Sequence, residues 1–121
     1  MKFHHLGIAT KNLEETLEWM KNTFEIKYIS DITFDKNQNA NLILIETKDM
    51  IFELISGDIV KNLVNKNITY YHICYEVKSI KKTVEKLNGI LISPPKNALL
   101  FNNKKVCFVM TNIGLIELLE E

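Results

Sequence analysis

A short apolar run with the sequence FHHLGIA occupies residues 3–9, and a second run, YYHICYEV, occupies residues 70–77. Both have the length and composition of β-strands, and each carries a histidine inside the run. These histidines, His5 and His72, are 67 residues apart, and the segments that follow them are alike. The two runs decide the fold, because they predict that the chain contains one structural unit twice.

In the first copy, Asn12 is placed to cap a helix with an apolar stripe at helical spacing, and Trp19 is expected to pack this helix on the sheet. An extended run at 26–34 follows. Residues 41–46 and 50–55 then predict a β-hairpin that turns at 47–49. The apolar stripe of the helix consists of Leu13, Leu17, Met20 and Phe24.

The second copy repeats this order. Ser79 is placed to cap a helix that stops at Asn88 and Gly89, and an extended run at 90–92 is predicted to end at Pro94 and Pro95. Residues 105–111 and 115–119 predict the closing hairpin. The sequence therefore predicts one domain over residues 1–121, with module one at 1–55, a linker at 56–68 holding a short helix near 58–64, and module two at 69–121.

The composition excludes several classes of protein. Apolar residues make up 46% and charged residues 25% of the chain, the balance of a folded globular domain. Fifteen Lys balance fifteen acidic residues, and such a neutral chain is not expected to bind nucleic acid. No stretch approaches the roughly 20 apolar residues of a membrane helix. Because no secretory signal is visible and only two Cys are present, a reducing, cytoplasmic setting is expected.

Two glutamates interrupt the apolar strands that close the two copies. Glu53 lies 48 residues after His5, and Glu117 lies 45 residues after His72, so one His and one Glu recur at matching positions. If the copies pair about a pseudo-twofold axis, the four side chains converge. Each glutamate alone also fits a solvent-facing strand position, and each histidine alone fits a packed core. A buried carboxylate needs compensation, and a divalent cation would supply it.

The composition of this set indicates which ions it would accept. Two imidazoles and two carboxylates suit Ni, Co, Zn, Mn or Fe. Four protein ligands leave positions open for water or substrate oxygens, as in catalytic metal sites. Since the chain has no Arg, an anionic substrate would have to be held by Lys, by backbone amides or by the metal.

In order and spacing, these segments resemble the vicinal-oxygen-chelate superfamily, which includes glyoxalase I, methylmalonyl-CoA epimerase, extradiol dioxygenases and fosfomycin or bleomycin resistance proteins. The resemblance rests on residues 3–14, 71–77, 94–96, 105–109 and 114–118. It implies an α+β fold in which two βαβββ modules form an open, eight-stranded mixed sheet around a cleft. It also implies one divalent metal ion bound by His5 rather than His4, and by Glu53, His72 and Glu117.

The resemblance implies an isomerase, epimerase or lyase. In such enzymes a substrate with two neighbouring oxygens chelates the metal, a base removes the proton on the adjacent carbon, and the metal stabilises the enediolate. Glu53 or Glu117 would be the catalytic base, and we favour Glu117. Methylmalonyl-CoA epimerase is the most similar in length and closing hairpin. Its additional loop carboxylate falls near Asn37 here, and Asp35 would replace it only if the loop register shifts.

Two alternatives remain open. The first is a glyoxalase I-like lactoylglutathione lyase, although the chain has no Arg to bind the glutathione carboxylates, and only Lys96, Lys104 and Lys105 near the closing hairpin offer charge. The second is a metal-free protein that binds an antibiotic or another small molecule. In each case the partner is a small molecule, and the resemblance implies a homodimer.

Overall fold

The computed structural model describes residues 1–121, and its fold is α+β, as predicted. The chain divides into two compact units. We call residues 5–71 the His5 unit, and residues 72–121 together with 1–4 the His72 unit. None of the helices has the length and apolar character needed to cross a lipid bilayer. The module boundaries given above stay a prediction.

Nine strands and three α-helices make up the chain, with 3-10 turns at Asp58–Val60 and Leu99–Phe101. The elements in chain order are β1 (Lys2–Ala9), α1 (Leu13–Thr23), β2 (Ile26–Ile29), β3 (Thr33–Asp35), β4 (Ala40–Thr47), β5 (Ile51–Gly57), α2 (Lys61–Asn65), β6 (Tyr70–Val77), α3 (Ile80–Leu87), β7 (Ile90–Ala98), β8 (Lys104–Thr111) and β9 (Gly114–Glu120).

The His5 unit contains the strand order β2-β4-β5-β1, with β3 also paired to β4. Strands β1 and β5 run parallel, whereas β4 is antiparallel to its neighbours. Helix α1 begins as predicted, because the Asn12 side chain accepts a hydrogen bond from the Glu15 amide at 3.0 Å. Its buried residues pack on one face of the sheet in a cluster of Leu13, Met20, Ile43, Ile45 and Leu54.

The extended run at 26–34 forms two strands rather than one, which gives nine strands instead of the expected eight. Ser30 lies at the break. Its amide donates to the Leu44 carbonyl at 2.9 Å, and its hydroxyl accepts from the Leu44 amide at 2.9 Å. The Ser30 side chain thus takes the place of a backbone hydrogen-bond acceptor in the pairing with β4. The main chain then leaves β4 and pairs with it again as β3.

The expectation that Trp19 packs α1 on the sheet is wrong. Its side chain is 59% exposed and makes an edge contact with Phe24, with ring centroids 5.9 Å apart. Phe24 lies beyond the end of α1 and contacts Phe52 at 5.8 Å. The buried stripe of α1 therefore runs through Leu13 and Met20, and Trp19 lies outside it.

The His72 unit contains the strand order β6-β9-β8-β7, with β6 and β9 parallel and the other pairs antiparallel. Helix α3 begins at Ser79, whose hydroxyl accepts from the Lys82 amide at 3.2 Å, and ends at Asn88 in the left-handed conformation. Both ends were predicted. The helix packs on a cluster of Val77, Ile80, Cys107, Val109, Ile116 and Leu118.

The prediction that Pro94 and Pro95 end the strand at 90–92 is wrong, because β7 continues to Ala98. This strand is the last in the order of its unit and pairs only with β8. Its register shifts between Leu91 and Ser93 and again between Ser93 and Lys96. Proline lacks an amide donor, and an outer strand with irregular pairing tolerates this loss.

Gly89 links α3 to β7 where the backbone of β8 passes close by. A Cβ atom added at this position would overlap the Met110 carbonyl oxygen and lie 2.9 Å from a Val109 methyl carbon. We expect Gly89→Ala to lower the free energy of unfolding by about 2 kcal/mol or more, measured by urea denaturation. Asn88→Gly is the matched control, since glycine adopts the left-handed conformation freely. An unchanged midpoint for Gly89→Ala would contradict this packing.

Burial raises the pKa of the Cys107 thiol to about 11, and the negative charges of Glu117 and Glu120 add to the shift. The unfolded chain releases this proton near pH 8.5, whereas the folded chain keeps it. The free energy of unfolding should therefore fall as pH rises from about 8.5 to about 11, by about 2 kcal/mol more in the wild type than in Cys107→Ala. Urea denaturation at pH 8 and pH 10.5 measures this difference, and parallel losses in both proteins would contradict it.

Candidate metal-binding residues

The His5 unit holds the first predicted His–Glu pair in its sheet. The Nε2 atom of His5 lies 3.6 Å from Oε1 of Glu53. Strand β5 places Glu53 between Phe52 and Leu54, which pack toward α1. Because side chains alternate along a strand, Glu53 points to the face of the sheet away from α1. The His5 side chain on β1 points to that same face. Glu53 is in register with Gly7 on β1 and with Leu44 on β4.

The His72 unit holds the second pair in the same way. The Nε2 atom of His72 lies 3.3 Å from Oε1 of Glu117. Glu117 lies on β9 between Ile116 and Leu118, which pack toward α3, so its side chain points to the opposite face of the sheet. The His72 ring makes an edge contact with the Phe108 ring at a centroid distance of 5.3 Å.

The two pairs have the same register. In each unit, the strand with the histidine runs parallel to the strand with the glutamate. Glu53 pairs with Gly7, two residues after His5, and Glu117 pairs with Cys74, two residues after His72. The repeat deduced from the sequence therefore extends to the placement of individual side chains.

Both His–Glu pairs are buried, and this burial determines which chemistry they can perform. The exposed fractions are 0% for both histidines, 1% for Glu53 and 2% for Glu117. Removing a carboxylate from water is costly unless a nearby positive charge or hydrogen bonds compensate it. A buried imidazole and carboxylate at 3.3–3.6 Å can share a proton or together bind a cation. Two neutral nitrogen donors and two carboxylates fit a divalent transition metal.

His4 differs from His5 in its surroundings. Its ring makes an edge contact with the Phe101 ring at 5.5 Å, and its side chain is only partly buried. Since successive side chains of a strand point to opposite faces, His4 and His5 leave β1 in opposite directions. The structure thus pairs Glu53 with His5, the histidine that the resemblance selected.

The loop expected to carry an epimerase-type acid has a different role here. Asp35 ends β3, and its carboxylate accepts from the Asn37 amide at 2.9 Å and from the Gln38 side-chain amide at 2.8 Å. The Tyr71 hydroxyl donates to the side-chain oxygen Oε1 of Gln38 at 3.0 Å. Asp35 is therefore bound within its turn. The sequence analysis missed this network, because residues 35–38 and Tyr71 are far apart in the chain.

The lysines considered for glutathione carboxylates lie on β7 and β8, the last two strands in the order of the His72 unit. Lys96 is part of β7, and Lys104 and Lys105 begin β8, all with exposed side chains. Cys74 is fully buried on the same face of β6 as His72. Neither Cys74 nor Cys107 forms a disulfide.

Comparisons with solved structures give the fold. Methylmalonyl-CoA epimerase from Mycobacterium tuberculosis superposes with a TM-score of 0.81 at 16% identity, covering 98% of this chain and 87% of that one. A hypothetical protein from Bacillus halodurans C-125 superposes with a TM-score of 0.82 at 20% identity, covering 99% and 94% of the two chains. At these identities the likeness shows the fold alone. No curated protein sequence matches this chain significantly.

The sequence itself gives the family. Residues 4–108 match the family described as the Glyoxalase/Bleomycin resistance protein/Dioxygenase superfamily. The match covers most of the chain and includes His5, Glu53 and His72, while Glu117 lies beyond its end. This chain is thus a member of the glyoxalase/bleomycin resistance protein/dioxygenase superfamily.

Proposed function

We propose that this protein is a metal-dependent isomerase, epimerase or lyase whose small-molecule substrate carries two neighbouring oxygen atoms. One divalent ion, Ni, Co, Zn or Mn, would be held by His5, Glu53, His72 and Glu117. The observation that carries the proposal is the buried His–Glu pair that recurs in the same register in both units. A packed core alone does not require a histidine and a glutamate at both equivalent positions.

The donor groups support a metal rather than a structural ion pair. Each of the four residues offers one nitrogen or oxygen atom to a metal ion. A structural role would be served at lower cost by apolar side chains of similar volume, since desolvating a carboxylate is expensive. Divalent ions also balance the two negative charges, which two neutral imidazoles do not.

The residues of this chain would divide the chemistry as follows. A bound divalent ion supplies Lewis-acid stabilisation of negative charge on substrate oxygens. A carboxylate oxygen of Glu117 would accept the proton from the carbon next to the chelating oxygens, with Glu53 as the alternative base. The deep burial of both carboxylates keeps bulk water from competing for that proton.

The turn at residues 35–38 helps to choose the base. Asn37 stands where the epimerase-type loop acid is expected, and an amide cannot take up a proton in this way. Asp35 is engaged by the Asn37 amide and the Gln38 side chain. This favours a proton acceptor within the metal ligand set, as in a glyoxalase I-like lyase, on a fold that superposes on methylmalonyl-CoA epimerase.

We also propose that the protein works as a homodimer in the cytoplasm. The two buried cysteines form no disulfide, which suits a reducing compartment. Gel filtration with light scattering, together with fractionation of the source cells, tests both points. A monomer at micromolar concentration, or recovery outside the cytoplasm, would contradict them.

The metal site is tested by loading. We expect protein dialysed against Co²⁺ or Ni²⁺ to retain about one ion per chain by plasma mass spectrometry, as four protein ligands predict. His5→Ala and His72→Ala should each reduce retention at least tenfold. His4→Ala is the matched control, because it removes the neighbouring imidazole outside the proposed set. Wild-type protein without metal after loading would contradict the proposal and favour the metal-free binding protein.

The base is tested by solvent exchange. We expect the loaded enzyme to exchange the proton next to the carbonyl of an acyl-CoA or a hemithioacetal for deuterium, followed by NMR. Glu117→Gln should slow this exchange by about 100-fold or more, since general base catalysis contributes at least that much. Asn37→Ala is the control and should keep the wild-type rate. Equal rates in Glu117→Gln and wild type, with metal retained, would transfer the role to Glu53.

A further inference from the structure

The one tryptophan of the chain, Trp19, lies on the surface of the His5 unit. Its side chain is 59% exposed, although tryptophan is on average a highly buried residue type. The Trp19 ring makes an edge contact with the exposed ring of Phe24, which in turn contacts Phe52. Because these ring contacts already order the indole, its burial by another molecule would cost little additional side-chain entropy.

Acidic groups surround Trp19 on the outer face of α1. Glu15 precedes Trp19 by one helical turn and shares its face, and Glu18 is its neighbour in the chain. Both glutamate side chains are exposed. An exposed indole flanked by carboxylates is complementary to an apolar groove with a basic rim. The charged residues of α1 are three glutamates and one lysine, namely Glu14, Glu15, Glu18 and Lys21.

The His72 unit contains an apolar groove between α3 and β7, which we call the α3–β7 groove. Its volume is about 410 Å³, within the range of sites that hold small molecules, so an indole ring fits inside it. Leu91 and Pro95 are exposed on β7, so the groove is accessible from outside. The apolar residues that line it are Ile80, Val84, Leu91 and Pro95.

The charges at the rim of the α3–β7 groove are opposite to those around Trp19. Lys81 and Lys105 line it together with Glu85, and all three side chains are exposed. The other carboxylate there, that of Glu120, accepts a hydrogen bond from the Ile80 amide at 2.9 Å. Helix α3 thus reverses the charge of α1, since it carries three lysines and one glutamate, namely Lys81, Lys82, Glu85 and Lys86.

We propose that Trp19 of one copy inserts into the α3–β7 groove of a second copy. Tryptophan is among the residues that most often anchor protein interfaces. The contact joins two different surfaces, so a twofold arrangement forms it twice, once from each copy. The flanking charges form ion pairs across the contact, with Glu15 and Glu18 beside Lys81 and Lys105.

This inference rests on the homodimer proposed above and specifies the surfaces that form it. The four proposed metal ligands belong to neither surface. Variants in the contact therefore leave the metal ligand set intact, and metal retention can be measured on them separately.

Fluorescence of the full chain tests the contact, because Trp19 is the only tryptophan. We expect emission at shorter wavelength from the dimer than from the monomer obtained by dilution, since the indole leaves water. Sedimentation measures the dimer dissociation constant over the same concentrations. Added NaCl should raise this constant, because salt screens exposed ion pairs.

The groove is tested by placing a charge in it. Leu91→Asp should raise the dimer dissociation constant at least tenfold, as expected for the loss of an anchor contact. Ile90→Asp is the matched control, because it adds the same charge at the neighbouring exposed residue, which lines a different pocket. The Ile90→Asp variant should dimerise as the wild type does.

A mixture of two variants tests which surfaces meet. Trp19→Ala keeps the groove and Leu91→Asp keeps the indole, so each variant alone should dimerise weakly. Adding Trp19→Ala to Leu91→Asp should shift the emission to shorter wavelength, because the only indole in the mixture then enters an intact groove. A contact between two copies of Trp19 would not give this rescue.

Three results would overturn the inference: emission of a water-exposed indole from the dimer, no shift in the mixture, or equal weakening by Leu91→Asp and Ile90→Asp. Circular dichroism melts establish that each variant is folded. A dimer with a water-exposed indole would overturn this contact and leave the homodimer in place, whereas a monomer at micromolar concentration would contradict both. Loss of metal retention in the wild type would bear on the proposed enzyme alone.

Discussion

A buried carboxylate beside a buried imidazole, on two parallel strands, is the constraint on which this structure depends. It occurs as His5 with Glu53 and as His72 with Glu117. Parallel pairing fixes the register, and the two-residue period of a strand fixes the face. A slip of one residue in β5 or β9 would turn the glutamate toward the helix and bury a charge in the apolar cluster. The strand register and the site therefore specify each other.

In each unit, this constraint gives the two faces of the strands different roles. The face toward α1 or α3 is apolar and supplies the packing, as the clusters around Leu54 and Leu118 show. The opposite face carries the His–Glu pair and is free to hold polar groups that would weaken a core. Burial of those groups costs stability, and natural proteins accept such costs at functional sites. The same cost, incurred twice in equivalent positions, is the physical reason to regard the pairs as functional.

Local features were predictable from the sequence where a single residue type determines them. Asn12 and Ser79 cap their helices through their own side chains, and the glutamates stand out because they interrupt apolar runs. The predictions were wrong where contacts between segments distant in the chain determine the local structure. Ser30 breaks its strand through Leu44, and Pro94 is tolerated because β7 is an outer strand.

The two departures from the resembling enzymes constrain the chemistry in the same direction. With an amide at Asn37, and with Asp35 bound in its turn, the proposed enzyme would take its proton acceptor from the carboxylates of Glu53 and Glu117. Without Arg, an anionic substrate would be held by lysine ammonium groups, by backbone amides or by the metal ion. Contacts of this kind, made away from the reacting carbon, would position that carbon against the carboxylate that takes its proton.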